Sequence, residues 1–100
     1  MSKVIIEGPT FVLDNFNEFK EVLEMRLPLV QRFLSERDSR GNNHLEPITH
    51  VEIAVTFPEL NDPAFNYTAF AKQYLDEVYS CNRFAELPDG QMAVYILIQV

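Results

Sequence analysis

Two short units, His44-Leu45-Glu46 and His50-Val51-Glu52, bring imidazole and carboxylate groups close together in the chain. Alternate residues of a strand project to one side, so each unit offers a nitrogen and an oxygen donor to a divalent metal such as zinc. Pro47 separates the two units, nothing elsewhere completes a ligand set, and no metal site is assigned. Cys81, the single cysteine, would need one of the two histidines as its base to act as a nucleophile. It falls on the apolar face of a predicted helix, where a thiol is buried and inert. The carboxylate pairs Glu21/Glu24 and Asp76/Glu77 belong to polar helix faces, whereas acid–base catalysis needs burial to set carboxylate pKa values apart. The three glycines, Gly8, Gly41 and Gly90, stand at turn or cap positions and leave no phosphate-cradling loop. These residues predict no catalytic centre, no cofactor and no metal.

They point instead to binding. Phe57, Phe65, Tyr67 and Phe70 surround a connection rich in Pro and Asn, and loop aromatics bury much area at low entropic cost when a partner docks. Phe57 and Phe70 read as core; Phe65 and Tyr67 are the candidates for contact. Glu21 and Glu24 on one helix face, and His50 and Glu52 on a strand face, complete the predicted partner-binding residues. Acidic residues outnumber basic ones by 15 to 8, for a formal charge of −7. Nucleic-acid affinity rests on Lys and Arg neutralising phosphates, and the only loose basic group here is Arg32, Arg37 and Arg40. Direct nucleic-acid binding and attraction to an anionic membrane are not expected. A basic surface on another protein is the complementary target.

The elements that must hold these residues follow from periodicity. Lys3–Glu7 reads as a strand that Gly8-Pro9 ends or bulges, with Thr10–Leu13 resuming it. Asp14 or Asn15 offers a helix cap, with Glu18 as the capping-box partner of Asn15. Phe16, Phe19, Leu23, Leu27, Val30 and Leu34 then form one helical stripe. Pro28 lies opposite that stripe, which predicts a single helix kinked at Pro28 and ending by Gly41. After a polar loop over 41–48, Val51, Ile53, Val55 and Phe57 alternate with His50, Glu52, Ala54 and Thr56, as in a strand covered on one side. A second helix is predicted to carry Tyr67, Phe70, Ala71, Tyr74, Leu75, Val78 and Cys81 on one face and to end near Asn82. Arg83–Leu87 reads as a short strand, joined by the Pro88-Asp89-Gly90 turn to an apolar strand over Met92–Val100. That last strand carries no charge, so it must lie inside a sheet or pair with another copy.

The predicted architecture is an α/β or α+β two-layer sandwich in the order β-α-β-α-(β)-β. It has a small mixed sheet of three or four strands, with two helices mainly on one face. One hundred residues suit a single domain spanning 1–100. No apolar run approaches the ~20 residues of a membrane span. The N-terminus lacks the pattern of a secretory signal, and one cysteine suits a reducing compartment, so a cytoplasmic protein is expected. Element order and acidity resemble barstar, an acidic nuclease inhibitor; the aromatic-glycine and Asp-Ala-Leu pattern expected after its first helix is absent, and no family is assigned.

The expected function is that of a small acidic protein-binding module, not an enzyme, which docks on a larger protein and inhibits or regulates it. The stand-alone inhibitors that phages use against host or defence enzymes, in the host cytoplasm, are of this kind. The alternative is a homo-oligomeric ligand-binding or enzymatic domain whose pocket, using His50, Glu52 or Tyr95, forms between subunits associated through the C-terminal strand.

Overall fold

Strand β1, Ile5–Val12, is a single strand whose register against its neighbour slips between Glu7 and Thr10. The slip falls at Gly8-Pro9, because Pro9 has no N–H to give a ladder. A Cβ on Gly8 would also stand 2.8 Å from Val51 Cγ2 and 3.0 Å from Ile53 Cγ2. The bulge bends the strand without ending it. In this computed structural model the described residues are 4–39, 48–75 and 79–99.

One long helix, α1, follows in three consecutive segments: Asn17–Glu21, a π-helical turn at Val22–Arg26, and Leu27–Ser39. The helix runs through Pro28, and its irregularity is that π turn. Within it the Leu27 N–H donates to the Val22 carbonyl, five residues back. The widened turn lies directly before the proline, whose ring would otherwise meet the carbonyl of Glu24. It also carries Val22 inward with Leu27, and both are buried with Phe19 and Leu34. At the start of α1, Glu18 accepts a hydrogen bond from the Asp14 N–H at 2.9 Å. Neither Asp14 nor Asn15 caps the helix with its side chain; the N-cap position is Phe16. The Phe16 N–H is satisfied by Glu59 Oε2 at 2.9 Å, from far along the chain.

Strand β2, His50–Thr56, a 3₁₀ turn Pro58–Asn61, helix α2, Tyr67–Tyr74, and the hairpin of β3, Tyr79–Glu86, with β4, Met92–Gln99, complete the fold. Asn66 caps α2 by accepting from the Ala69 N–H at 3.0 Å. The sheet order is β1-β2-β4-β3, parallel between β1 and β2 and antiparallel elsewhere. The result is a small α+β domain with a four-stranded mixed sheet.

The predicted extent of the second helix needs correction. The second helix does not reach Cys81 and Asn82. It ends at Tyr74, Leu75 is extended, and Cys81 is a β3 residue paired with Ile96. A helix this short gains little from local hydrogen bonding alone. Pairing along β4, by contrast, covers an apolar strand edge that would otherwise be bare. Of the stripe assigned to that helix, Val78 lies outside the described residues.

Both helices pack on one face of the sheet. Phe19, Val22, Leu27 and Leu34 of α1 and Phe70 of α2 share a core with Val51, Ile53, Val55, Val94, Ile96 and Ile98. The opposite face carries His50, Glu52, Ala54 and Thr56 beside Ala93, Tyr95 and Leu97. Ala54, Thr56, Ala93 and Leu97 are buried even there.

Candidate functional site

Helix α1 has more apolar surface than the core consumes. Met25, Leu29 and Phe33 recur at intervals of four, which aligns them on one flank. They are 61%, 62% and 64% exposed. The flank overhangs β1, for Leu29, Val30, Phe33 and Leu34 share a hollow of about 380 Å³ with Ile6, Glu7, Gly8, Pro9 and Val51. A separate, smaller hollow of about 200 Å³ lies between the other end of β1 and the start of α1, where Val12 and Leu13 face Glu18, Glu21 and Arg26. The two hollows form a crevice only in the sense that both lie between α1 and β1, the larger lined mainly by apolar side chains and the smaller carrying Glu18, Glu21 and Arg26. Ile5 and Val12 on β1 are exposed too, at 46% and 73%, but they pair with His50 and Thr56 and so belong to the helix-free face. Large apolar side chains grouped in this way mark contact surfaces.

The predicted partner-binding residues lie on three separate surfaces. Glu21 and Glu24 are exposed on α1, and Glu21 lines the acidic end of the crevice. His50 and Glu52 occupy the helix-free face of the sheet. His50 Nδ1 is 2.9 Å from the Thr49 hydroxyl. Glu52 is held by the Asn82 amide and by Arg83 Nη1 at 3.2 Å. The Arg83 guanidinium in turn lies over the Tyr95 ring, 4.3 Å from its centre. These contacts hold Glu52, Asn82, Arg83 and Tyr95 as one polar patch.

Phe65 and Tyr67 belong to an aromatic cluster. Phe65 meets Phe57, Tyr67 and Phe70 at ring distances of 6.1, 5.3 and 5.4 Å. Tyr67 stacks on Phe84 at 4.6 Å and donates its hydroxyl to the Leu60 carbonyl at 2.8 Å. Both are half-buried. A shallow hollow of about 450 Å³ beside them is lined by Phe16, Glu59, Asp62 and Phe65. The second oxygen of Glu59, Oε1, is buried without a hydrogen-bond partner.

The chemistry considered for Cys81 and the histidines meets geometric obstacles. Cys81 pairs with Ile96 on the helix-covered face, whereas His50 lies on the other face, so the sheet separates thiol from imidazole. Burial pushes the Cys81 thiol up from its ordinary value, the reverse of what activates a nucleophile. Of the four metal-ligand candidates, His44 and Glu46 lie outside the described residues. Among the described residues no three His, Cys, Asp or Glu side chains come together. The route to a dimer by extending the sheet at the C-terminal strand is closed, since β4 is flanked by β2 and β3.

Sequence reasoning missed Met25, Leu29 and Phe33. Their spacing of four was a usable signal, but the inward stripe already accounted for the core. The fold and crevice define a small α+β domain with an exposed apolar flank beside an outer strand. Compared with protein-family models, curated proteins and solved structures, the chain matches none of them. Among the described residues no helix is long and apolar enough to cross a membrane.

Proposed function

We propose that this domain is a protein-binding module that docks on a larger protein and inhibits or regulates it, and that it docks through the α1–β1 flank. The observation that carries this reading is the exposure of Met25, Leu29 and Phe33 beside the apolar hollow over β1. Leaving three large apolar groups more than half exposed forgoes part of the ~1.5–3 kcal/mol that full burial of each would supply, and docking can recover some of it. The core does not need them. Glu21 and Glu24 border the same helix flank and supply the acidic rim that orients a basic partner.

The test compares affinity capture from host-cell lysate by the wild-type domain and by the double variant Leu29→Asp/Phe33→Asp. One dominant partner captured by the wild type and lost with the variant supports the reading, provided that the variant unfolds in urea near the wild-type midpoint. A partner retained at full strength by the double variant removes the flank from the interface.

A further inference from the structure

The larger hollow, between α1 and β1, borders the strand beside which a fifth strand of the sheet would run. Among the described residues β1 is an outer strand, paired along one edge to β2. The Val4 carbonyl accepts from the Thr49 and His50 N–H groups, and the Leu13 N–H donates to the Thr56 carbonyl. Backbone direction alternates along a strand, so the backbone groups of Ile5, Glu7, Thr10 and Val12 point away from β2. An extended segment laid there gains ladder hydrogen bonds. Its alternate side chains then reach the hollow beside Leu29 and Phe33. Those on the other side stand next to Glu7 and Thr10.

Charge selects the occupant. Among the charged residues lining the two hollows, Glu7, Glu18 and Glu21 are acidic and Arg26 alone is basic. β1 itself carries one charge, Glu7, and the whole chain carries −7. A second copy adding its own β1 would bring two such acidic edges together, and like charges facing across strands are destabilising. We infer that β1 accepts, by strand addition, an extended segment of a partner protein that alternates apolar residues with Lys or Arg. This rests on the protein-binding reading above and adds the binding mode and the chemistry of the partner segment.

The probe is a short, soluble, end-capped peptide alternating valine and lysine, titrated into the isotope-labelled domain at low salt. Binding should slow amide exchange at Ile5, Glu7, Thr10 and Val12 and shift the side-chain signals of Leu29 and Phe33. Methylating alternate backbone nitrogens of the peptide, on the face turned to β1, should abolish binding. Glu7→Lys should weaken the lysine peptide about threefold to tenfold and favour its glutamate counterpart. No binding, binding without protection of those four amides, or equal binding of lysine and glutamate peptides would each overturn the inference. So would a concentration-dependent dimer of the domain alone with the same amides protected, since the second copy would then be the occupant. If the peptide fails while Leu29→Asp/Phe33→Asp still abolishes capture of the partner, strand addition falls and the flank stands. If the variant also keeps the partner, both fall.

Discussion

Cys81 shows how far one residue's chemistry depends on the side of the sheet it occupies. Its neighbour across the ladder is Ile96, and desolvation raises its pKa. The thiol is therefore more fully protonated at neutral pH than a free cysteine, and alkylation by iodoacetamide should be slower in the native domain than in the urea-unfolded chain. The sign for stability follows. Below the unfolded value, about 8.5, the thiol is neutral in both states. As pH rises past it, the unfolded chain ionises first, so this group's contribution to stability is lost with rising pH. Urea midpoints measured from pH 7 upward should fall less in Cys81→Ser than in the wild type. An equal fall in both would show that Cys81 is not the group responsible. The sequence marked Cys81 as a buried, inert thiol on a helix; the structure has it part-buried and on a strand. Spacing alone could not separate those cases, because Tyr74, Val78 and Cys81 suit a helical stripe while Tyr79 and Cys81 suit a strand.

At the level of elements, β1 and α1 were legible because their signals are local. Gly8-Pro9 inside an apolar stretch announced an interruption, and Phe16 through Leu34 announced a helix face. The form of each irregularity was less accessible. The bulge is tied to Gly8, where a Cβ would stand against Val51, Ile53 and the Glu52 carbonyl at 3.2 Å. Two of these contacts are methyls of fully buried core residues and the third is backbone, so none can yield cheaply. Gly8→Ala should cost about 1–3 kcal/mol, read as a lower urea midpoint at unchanged slope. A neutral result would mean that β1 can lift away from β2 at the bulge. The cap of α1 was misread in its partners. Glu18 does reach back, but to Asp14, and the Phe16 N–H is taken by Glu59. A partner forty-three residues distant is invisible to a local motif. The second helix was overextended for a related reason: its end depends on the demand of β4 for a neighbour.

For the whole molecule, the excess negative charge and the apolar flank act in opposite directions on solubility and association. A domain at −7 repels itself at low ionic strength, and the ion pair Glu52–Arg83 has an arginine side chain 53% exposed. Exposed pairs contribute little, so screening should relieve more repulsion than attraction. Raising salt from low to moderate levels at pH 7 should therefore raise the urea midpoint. A falling midpoint would assign the Glu52–Arg83–Tyr95 patch a larger share of stability than its exposure suggests. The same charge should keep the domain monomeric despite Met25, Leu29 and Phe33. By itself the sequence determined the α/β order, the helix-covered face of β2, the interior character of β4 and the acidity. Each of these is written in periodicity or composition, which depend on near neighbours in the chain. Only the tertiary structure decided that Tyr79 and Cys81 belong to β3, that His50 and Cys81 lie on opposite faces, and that the flank of α1 overhangs the outer strand of the described sheet. Those outcomes depend on strand order and on where the sheet stops, and distant backbone pairing sets both.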